Sequence, residues 1–178
     1  MNIRHYQGKT PRIDAGAFID DTALVIGDVH VGADASLWPM CVARGDVNFI
    51  RIGARSNIQD SSVLHVTHPH EDEPDGHPLI VGEDVTVGHR VILHGCSIGN
   101  LCLIGMGSTV MDGAVLEDYV LLGAGSLVPP GKVLEGGYLW LGSPVRKVRL
   151  LSDHERQWIE YSSRHYVELQ RLHRQERG

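Results

Sequence analysis

Three histidines, His65, His89 and His94, stand in the segments "LHVTH" and "VGHRVILHG" of this 178-residue chain. Imidazole ligates metals and carries protons near neutral pH. Three imidazoles around an open position make a catalytic zinc site, whereas structural sites are usually four-coordinate. The spacing is awkward, because His89 and His94 lie five residues apart. Helical neighbours sit three or four apart, and same-face strand positions sit two apart. Polar groups lie nearby, with Arg44 in "ARGDV" and Gln59 and Asp60 in "NIQDSSVLHVTH". A second concentration occupies residues 66–78, "VTHPHEDEPDGHP", with His68, His70, His77, Glu71, Asp72 and Glu73. Its histidines could export protons, or the loop could simply be solvated. With 11 histidines in the chain, chance stacking of two is unremarkable, so the backbone period must decide.

That period is six. Aliphatic residues recur at Ile13, Ile19, Val25, Val31 and Leu37, then after a slip at Ile52, Ile58 and Leu64. They return at Val81, Val87 and Leu93, and continue through Ile98, Ile104, Val110, Leu116, Leu122 and Val128. With the weaker Ala43 there are eighteen such positions. A small or β-branched residue usually lies two positions earlier, such as Ala23, Cys41, Ser62 or Cys102, and glycine often follows, as at Gly53, Gly88 and Gly105. A solenoid explains this: each hexapeptide is a short strand that cannot bury its face alone, so coils must stack. The following glycine is expected to relieve left-handed backbone strain. An all-β sandwich does not produce both auxiliary rules.

Reading every third hexapeptide, the residue after each aliphatic position forms the column Ile26, Arg44, His65, His94, Met111, Pro129. His65 and His94 therefore stack on successive coils, roughly 4.8 Å apart. The next column is Asp20, Trp38, Gln59, Gly88, Gly105, Gly123, which puts His89 directly above Asp60 on another face. A threefold assembly would bring His89 of one chain to His65 and His94 of the next.

The remaining features bound the class. The net charge of −6, without a basic block, argues against a nucleic-acid groove. No apolar run approaches a membrane span and no signal core opens the chain, so a cytoplasmic protein is expected. The three cysteines fall on or near the small inward position and read as core fillers. "SDHERQWIEYSSRHYVELQRLHRQ" opens with a capping box, Ser152 to Glu155. Trp158, Tyr161, His165, Leu169 and Leu172 then recur at helical steps. This predicts an amphipathic helix covering the solenoid with that face, after a link at "YLWLGSPVRKVRLL" held by Gly142 and Pro144. The domains expected are a solenoid over 1–150, with a protruding loop at 66–78, and a helical segment over 151–178.

The repeat over residues 11 to 130 resembles the hexapeptide-repeat left-handed parallel β-helix family. The resemblance implies an all-β solenoid of about six triangular coils with a C-terminal α-helix. "RGDV", "NIQD", "LHVTH" and "VGHRVILHG" look like the γ-class carbonic anhydrases and their bacterial relatives. That resemblance implies a homotrimer with metal at subunit interfaces, ligated by His65, His89 and His94, with Zn²⁺, Fe²⁺ or Co²⁺ as the ion. It maps the family's arginine and aspartate onto Arg44 and Asp46, and its glutamine and aspartate onto Gln59 and Asp60. Gln59 would orient the reactive oxygen, Arg44 would attract bicarbonate or tie subunits together, and Tyr161 would reach the site from the terminal helix. The implied activity is reversible hydration of CO₂ to bicarbonate by a metal-bound hydroxide, a carbonic anhydrase-like lyase with no nucleic-acid or membrane partner. The pattern departs at Val47, where a well-characterised γ enzyme has glutamate, so proton export is expected to be slow and turnover modest. The competing readings are an acyl-CoA-linked hexapeptide transferase or thioesterase, and a non-catalytic metal-stabilised accessory trimer.

Overall fold

The structure is a computed structural model and describes residues 2–176. Met1 and the last two positions of the expected 151–178 segment lie outside the described residues. The chain winds into a left-handed parallel β-helix with three faces. One face stacks Asn2–Arg4, residues 24–26, residues 42–44, Val63–His65, Ile92–His94, Thr109–Val110 and Leu127–Val128. The other two faces have seven parallel rungs each, because Leu24–Val31 and Val42–Ile52 both turn a corner between faces. The ladder runs past the eighteen positions legible in the repeat, since Leu134 and Trp140 continue it and are buried.

The inward ladder is aliphatic and dry. Val25, Ala43, Leu64, Leu93, Val110 and Val128 stack on successive rungs with no exposed surface. The small inward positions are buried too, and their hydroxyls stay satisfied: Ser56 donates to the Gly82 carbonyl at 2.7 Å and Ser62 to the Gly88 carbonyl at 3.1 Å. Cys41, Cys96 and Cys102 are buried free thiols. Burial pushes the Cys41 and Cys102 thiols up to about 12, so they are core fillers and not thiolate ligands.

The glycines after the aliphatic positions do a different job from the one expected. Gly82 and Gly88 lack positive φ. A Cβ on Gly88 would lie 2.8 Å from the Met106 nitrogen of the next rung, so glycine permits close stacking of coils. The left-handed turn residues come later in each repeat, as at Asp34, Arg55, Asp84, Arg90 and Leu101.

The segment read as a link is a hairpin. Tyr138–Gly142 pairs antiparallel with Val145–Leu150 and adds both strands to the third face. The loop after His65 is pinched at its base by paired backbone hydrogen bonds between Thr67 and His77, 2.9 and 3.1 Å.

The terminal helix, Asp153–Glu176, packs on the third face, but not with the expected side chains. Ile159, Ser163, Val167 and Gln170 point inward, whereas Trp158 and Leu172 are more than half exposed. The third face presents Ser36, Asn57 and Thr86 outward, but of the buried polar helix residues Ser163 bonds the Glu160 carbonyl of its own helix and the Gln170 amide has no partner among the described residues. Thr86 Oγ1 donates to Ser162 Oγ at 3.0 Å, and Trp38 packs edge-on against Tyr166 and His173. No described helix is long and apolar enough to cross a membrane.

The capping box forms. Glu155 accepts from the Ser152 nitrogen at 2.9 Å, and the Glu155 nitrogen donates to Ser152 Oγ. Arg149 forks onto the same carboxylate at 2.8 and 2.9 Å. Chiefly through Arg149, and then Ser152, the Glu155 carboxyl is held at about 2, below its ordinary 4.5. A depressed carboxyl contributes stability fully above the ordinary value and loses it as pH falls through the folded one. The stability advantage of wild type over Glu155→Gln, read from helix melting by circular dichroism, should therefore shrink steadily from about pH 4.5 toward pH 2. An advantage independent of pH in that window would show that the carboxylate does not latch the helix.

Candidate metal centre

The parallel register sets Ile92, Leu93 and His94 against Val63, Leu64 and His65. With the leucines inward, both histidines face out. Their rings sit 5.0 Å apart, and His65 Nδ1 lies 3.0 Å from His94 Nε2. Each far nitrogen meets a carboxylate: His65 Nε2 lies 3.1 Å from Asp46 Oδ1, and His94 Nδ1 lies 2.6 Å from Asp112 Oδ1. His89 follows the strand Thr86–Val87 of the third face, and its Nδ1 lies 2.8 Å from Asp60 Oδ2.

The proton positions follow from chemistry. An ionised carboxylate only accepts, so the ring nitrogen facing it carries the proton. In the neutral rings this leaves lone pairs on His65 Nδ1, His94 Nε2 and His89 Nε2. Burial lowers the His65 pKa against the pull of Asp46, so its neutral form dominates at neutral pH. His65 Nδ1 and His94 Nε2 then face each other at 3.0 Å, where one divalent cation would find two donors. Two imidazoles bound tetrahedrally at 2.0–2.1 Å would place their nitrogens about 3.3 Å apart, close to what is seen. The donor set fits a divalent metal, with each histidine oriented by its own carboxylate. Among the described residues, no group of three His, Cys, Asp or Glu in one chain is arranged to hold a metal ion. Within one chain the pair supplies two donors.

The other expected residues divide between the two edges. Arg44 Nη1 pairs with Asp46 Oδ2 within the chain, so Arg44 is tied to His65 through a shared carboxylate. Burial pushes the Asp46 carboxyl up, but the hydrogen bonds from Arg44 and His65 outweigh it and hold the group below its ordinary value. Gln59 lies beside Asp60 on the His89 edge; it is buried, and its amide nitrogen donates to Asn57 Oδ1 at 3.1 Å. Tyr161 sits on the exposed helix face between Trp158 and His165, stacked 5.7 Å from the latter. In the loop, His77 Nε2 pairs with Glu73, and His70 Nε2 lies 4.0 Å from the same oxygen. Sequence reasoning missed Asp112. The signal was available one rung above Gly95, because the Gly113 nitrogen bonds the Gly95 carbonyl and so places Asp112 over Gly95, from where its side chain reaches His94.

No family model matches the chain. Individual proteins do. The chain is 48% identical over 166 residues to a carbonic anhydrase of Geobacillus kaustophilus, covering 93% of this chain and 87% of that one. It is 42% identical over 165 residues to the mitochondrial gamma carbonic anhydrase 1 of Arabidopsis thaliana, covering 93% of this chain and 60% of that longer protein. The chain belongs to the γ-carbonic-anhydrase-like hexapeptide-repeat family. It is also 56% identical over 165 residues to protein YrdA of Escherichia coli, covering 93% and 90% of the two chains. A solved structure of a Bacillus cereus putative acetyltransferase superposes with a TM-score of 0.90 at 42% identity, covering 96% and 95%.

Proposed function

We propose that the protein is a homotrimer that hydrates CO₂ reversibly to bicarbonate, at metal sites completed by His65 and His94 of one subunit and His89 of the next. The observation that carries this reading is the set of three histidines, each with one nitrogen fixed by its own carboxylate and the other turned away from it, divided between two edges of one prism. A flanking stripe supports the shared site. Leu24, Val42, Val63 and Ile92 form the other outward column of the histidine face, and Val63 and Ile92 are 39% and 43% exposed. Such a stripe suits burial against a second copy.

When bound, the metal would act as a Lewis acid that makes water nucleophilic near neutral pH. Asp46, Asp60 and Asp112 would each hold their own imidazole in a single tautomer and orientation. Arg44, held by Asp46 but still partly exposed, presents positive charge to the bicarbonate anion. Gln59, next to Asp60, would orient the reacting oxygen from the His89 edge once its amide nitrogen releases Asn57 Oδ1, and Tyr161, exposed on the helix, would swing toward the same edge. His70, His77 and Glu73 give the proton an exit at the mouth of the loop.

The test is stopped-flow CO₂ hydration by freshly metallated, reduced protein at increasing imidazole-type buffer. Activity is expected to be modest and to rise with buffer, because Val47 supplies no base and a buffer of matched pKa substitutes for one. Removing His68, His70, Glu71, Asp72 and Glu73 together should lower it further, and Val47→Glu should reduce the buffer dependence. High turnover in dilute buffer, unchanged by the loop substitutions, would place proton export elsewhere. No turnover from a fully metallated trimer would favour an accessory role. The Bacillus cereus neighbour's name favours a second reading, acyl transfer, which calorimetric titration with acetyl-coenzyme A would reveal.

A further inference from the structure

We infer that Asp112 is a positioning residue that selects the metal-facing nitrogen of His94, and that Thr67 holds Asp112 in place from the base of the loop; this rests on the metal-site reading above. Asp112 Oδ1 lies 2.6 Å from His94 Nδ1, and Asp112 Oδ2 accepts from Thr67 Oγ1 at 3.2 Å. Both carboxylate oxygens are thus committed, one to the ligand and one to the loop. Thr67 is itself fixed. It exchanges two backbone hydrogen bonds with His77, and its carbonyl accepts from Asn48 Nδ2 at 3.0 Å. Asn48 Nδ2 also donates to the Asp75 carbonyl at 2.9 Å, near the far side of the loop. The chain leaves room for this carboxylate. Gly95 has φ of 53°, and a Cβ there would fall on Asp112 Oδ1 and lie 2.6 Å from the His77 Cβ.

The consequence is chemical. A neutral histidine side chain in water favours the proton on Nε2, the nitrogen that here faces His65. A carboxylate on Nδ1 reverses that preference, and the neighbour's lone pair is then ready for the metal. Asp46 does the opposite for His65, holding the proton on Nε2 and freeing Nδ1. The two histidines are held in opposite tautomers, which lets adjacent rungs aim two lone pairs at one point.

The test uses the full chain, stripped of metal, with Zn²⁺ titrated against a chromogenic chelator and with ¹⁵N spectra of the histidine rings. Asp112→Ala should weaken Zn²⁺ binding by about 10- to 100-fold and move the His94 proton from Nδ1 toward Nε2. Asp112→Asn should lose less, because its amide oxygen still accepts from Nδ1–H. Thr67→Val should shift affinity the same way by a smaller factor. His94→Ala is the reference. If it abolishes binding while Asp112→Ala keeps wild-type affinity and tautomer, the positioning role is overturned and the metal site stands. If His94→Ala itself binds like wild type, the metal-site reading has failed. Circular dichroism of each variant controls for folding, and Asp112→Asn, nearly isosteric, reports the tautomer even if alanine destabilises the loop.

Discussion

His65→Ala, His89→Ala and His94→Ala should each lose most of the bound metal, a drop of at least about 100-fold in affinity for the loss of one ligand, while the solenoid melts as a folded protein. The side chains are exposed or half-buried and point away from the core. Beneath them Leu64 and Leu93 remain sealed in the inward ladder, so alanine leaves no core cavity. The three variants should behave alike even though His89 lies on a different face from the other two, because the site needs all three. Elemental analysis with far-UV circular dichroism reads both quantities. Stoichiometric metal in any one variant would remove that histidine from the site.

Val63→Glu combined with Ile92→Glu should dissociate the trimer and empty the metal sites without touching a ligand. Both side chains point outward beside His65 and His94, on neighbouring rungs. In an isolated subunit two glutamates there would face water at little cost. In an assembled trimer they would be stripped of water next to each other, and the effective penalty is on the order of several kcal/mol per buried ion. Light scattering should report the monomer mass, and metal content should fall with it. A trimer that persists with full metal would place the subunit contact on another face.

The repeat made most of the fold legible, because every coil repeats the same demand: one large and one small side chain inward in each hexapeptide. It placed His65 under His94 and Asp60 under His89 for the same reason, since register in a parallel ladder fixes what lies one rung away. Three things were hidden by contacts that have no period. The helix shows a hydrophobic stripe at Trp158, Tyr161 and Leu172, yet it buries Ser163 and Gln170 and bonds the face beneath through Ser162 and Thr86. The glycines were read as turn formers, but the distance that matters at Gly88 is to the next coil. Asp112 follows Met111 in an unremarkable turn, and only its stacking on Gly95, which has no side chain in the way, lets its carboxylate reach His94.

The central claim, that the metal site is shared between subunits, is tested most directly by co-expressing His65→Ala and His89→Ala chains carrying different tags and isolating trimers that contain both. Each chain alone lacks one ligand at every site. In a mixed trimer, one contact of the three joins an intact His65–His94 pair to an intact His89, so such trimers should recover about one metal ion each. Mixed trimers as empty of metal as the two parent variants would contradict a site built between subunits.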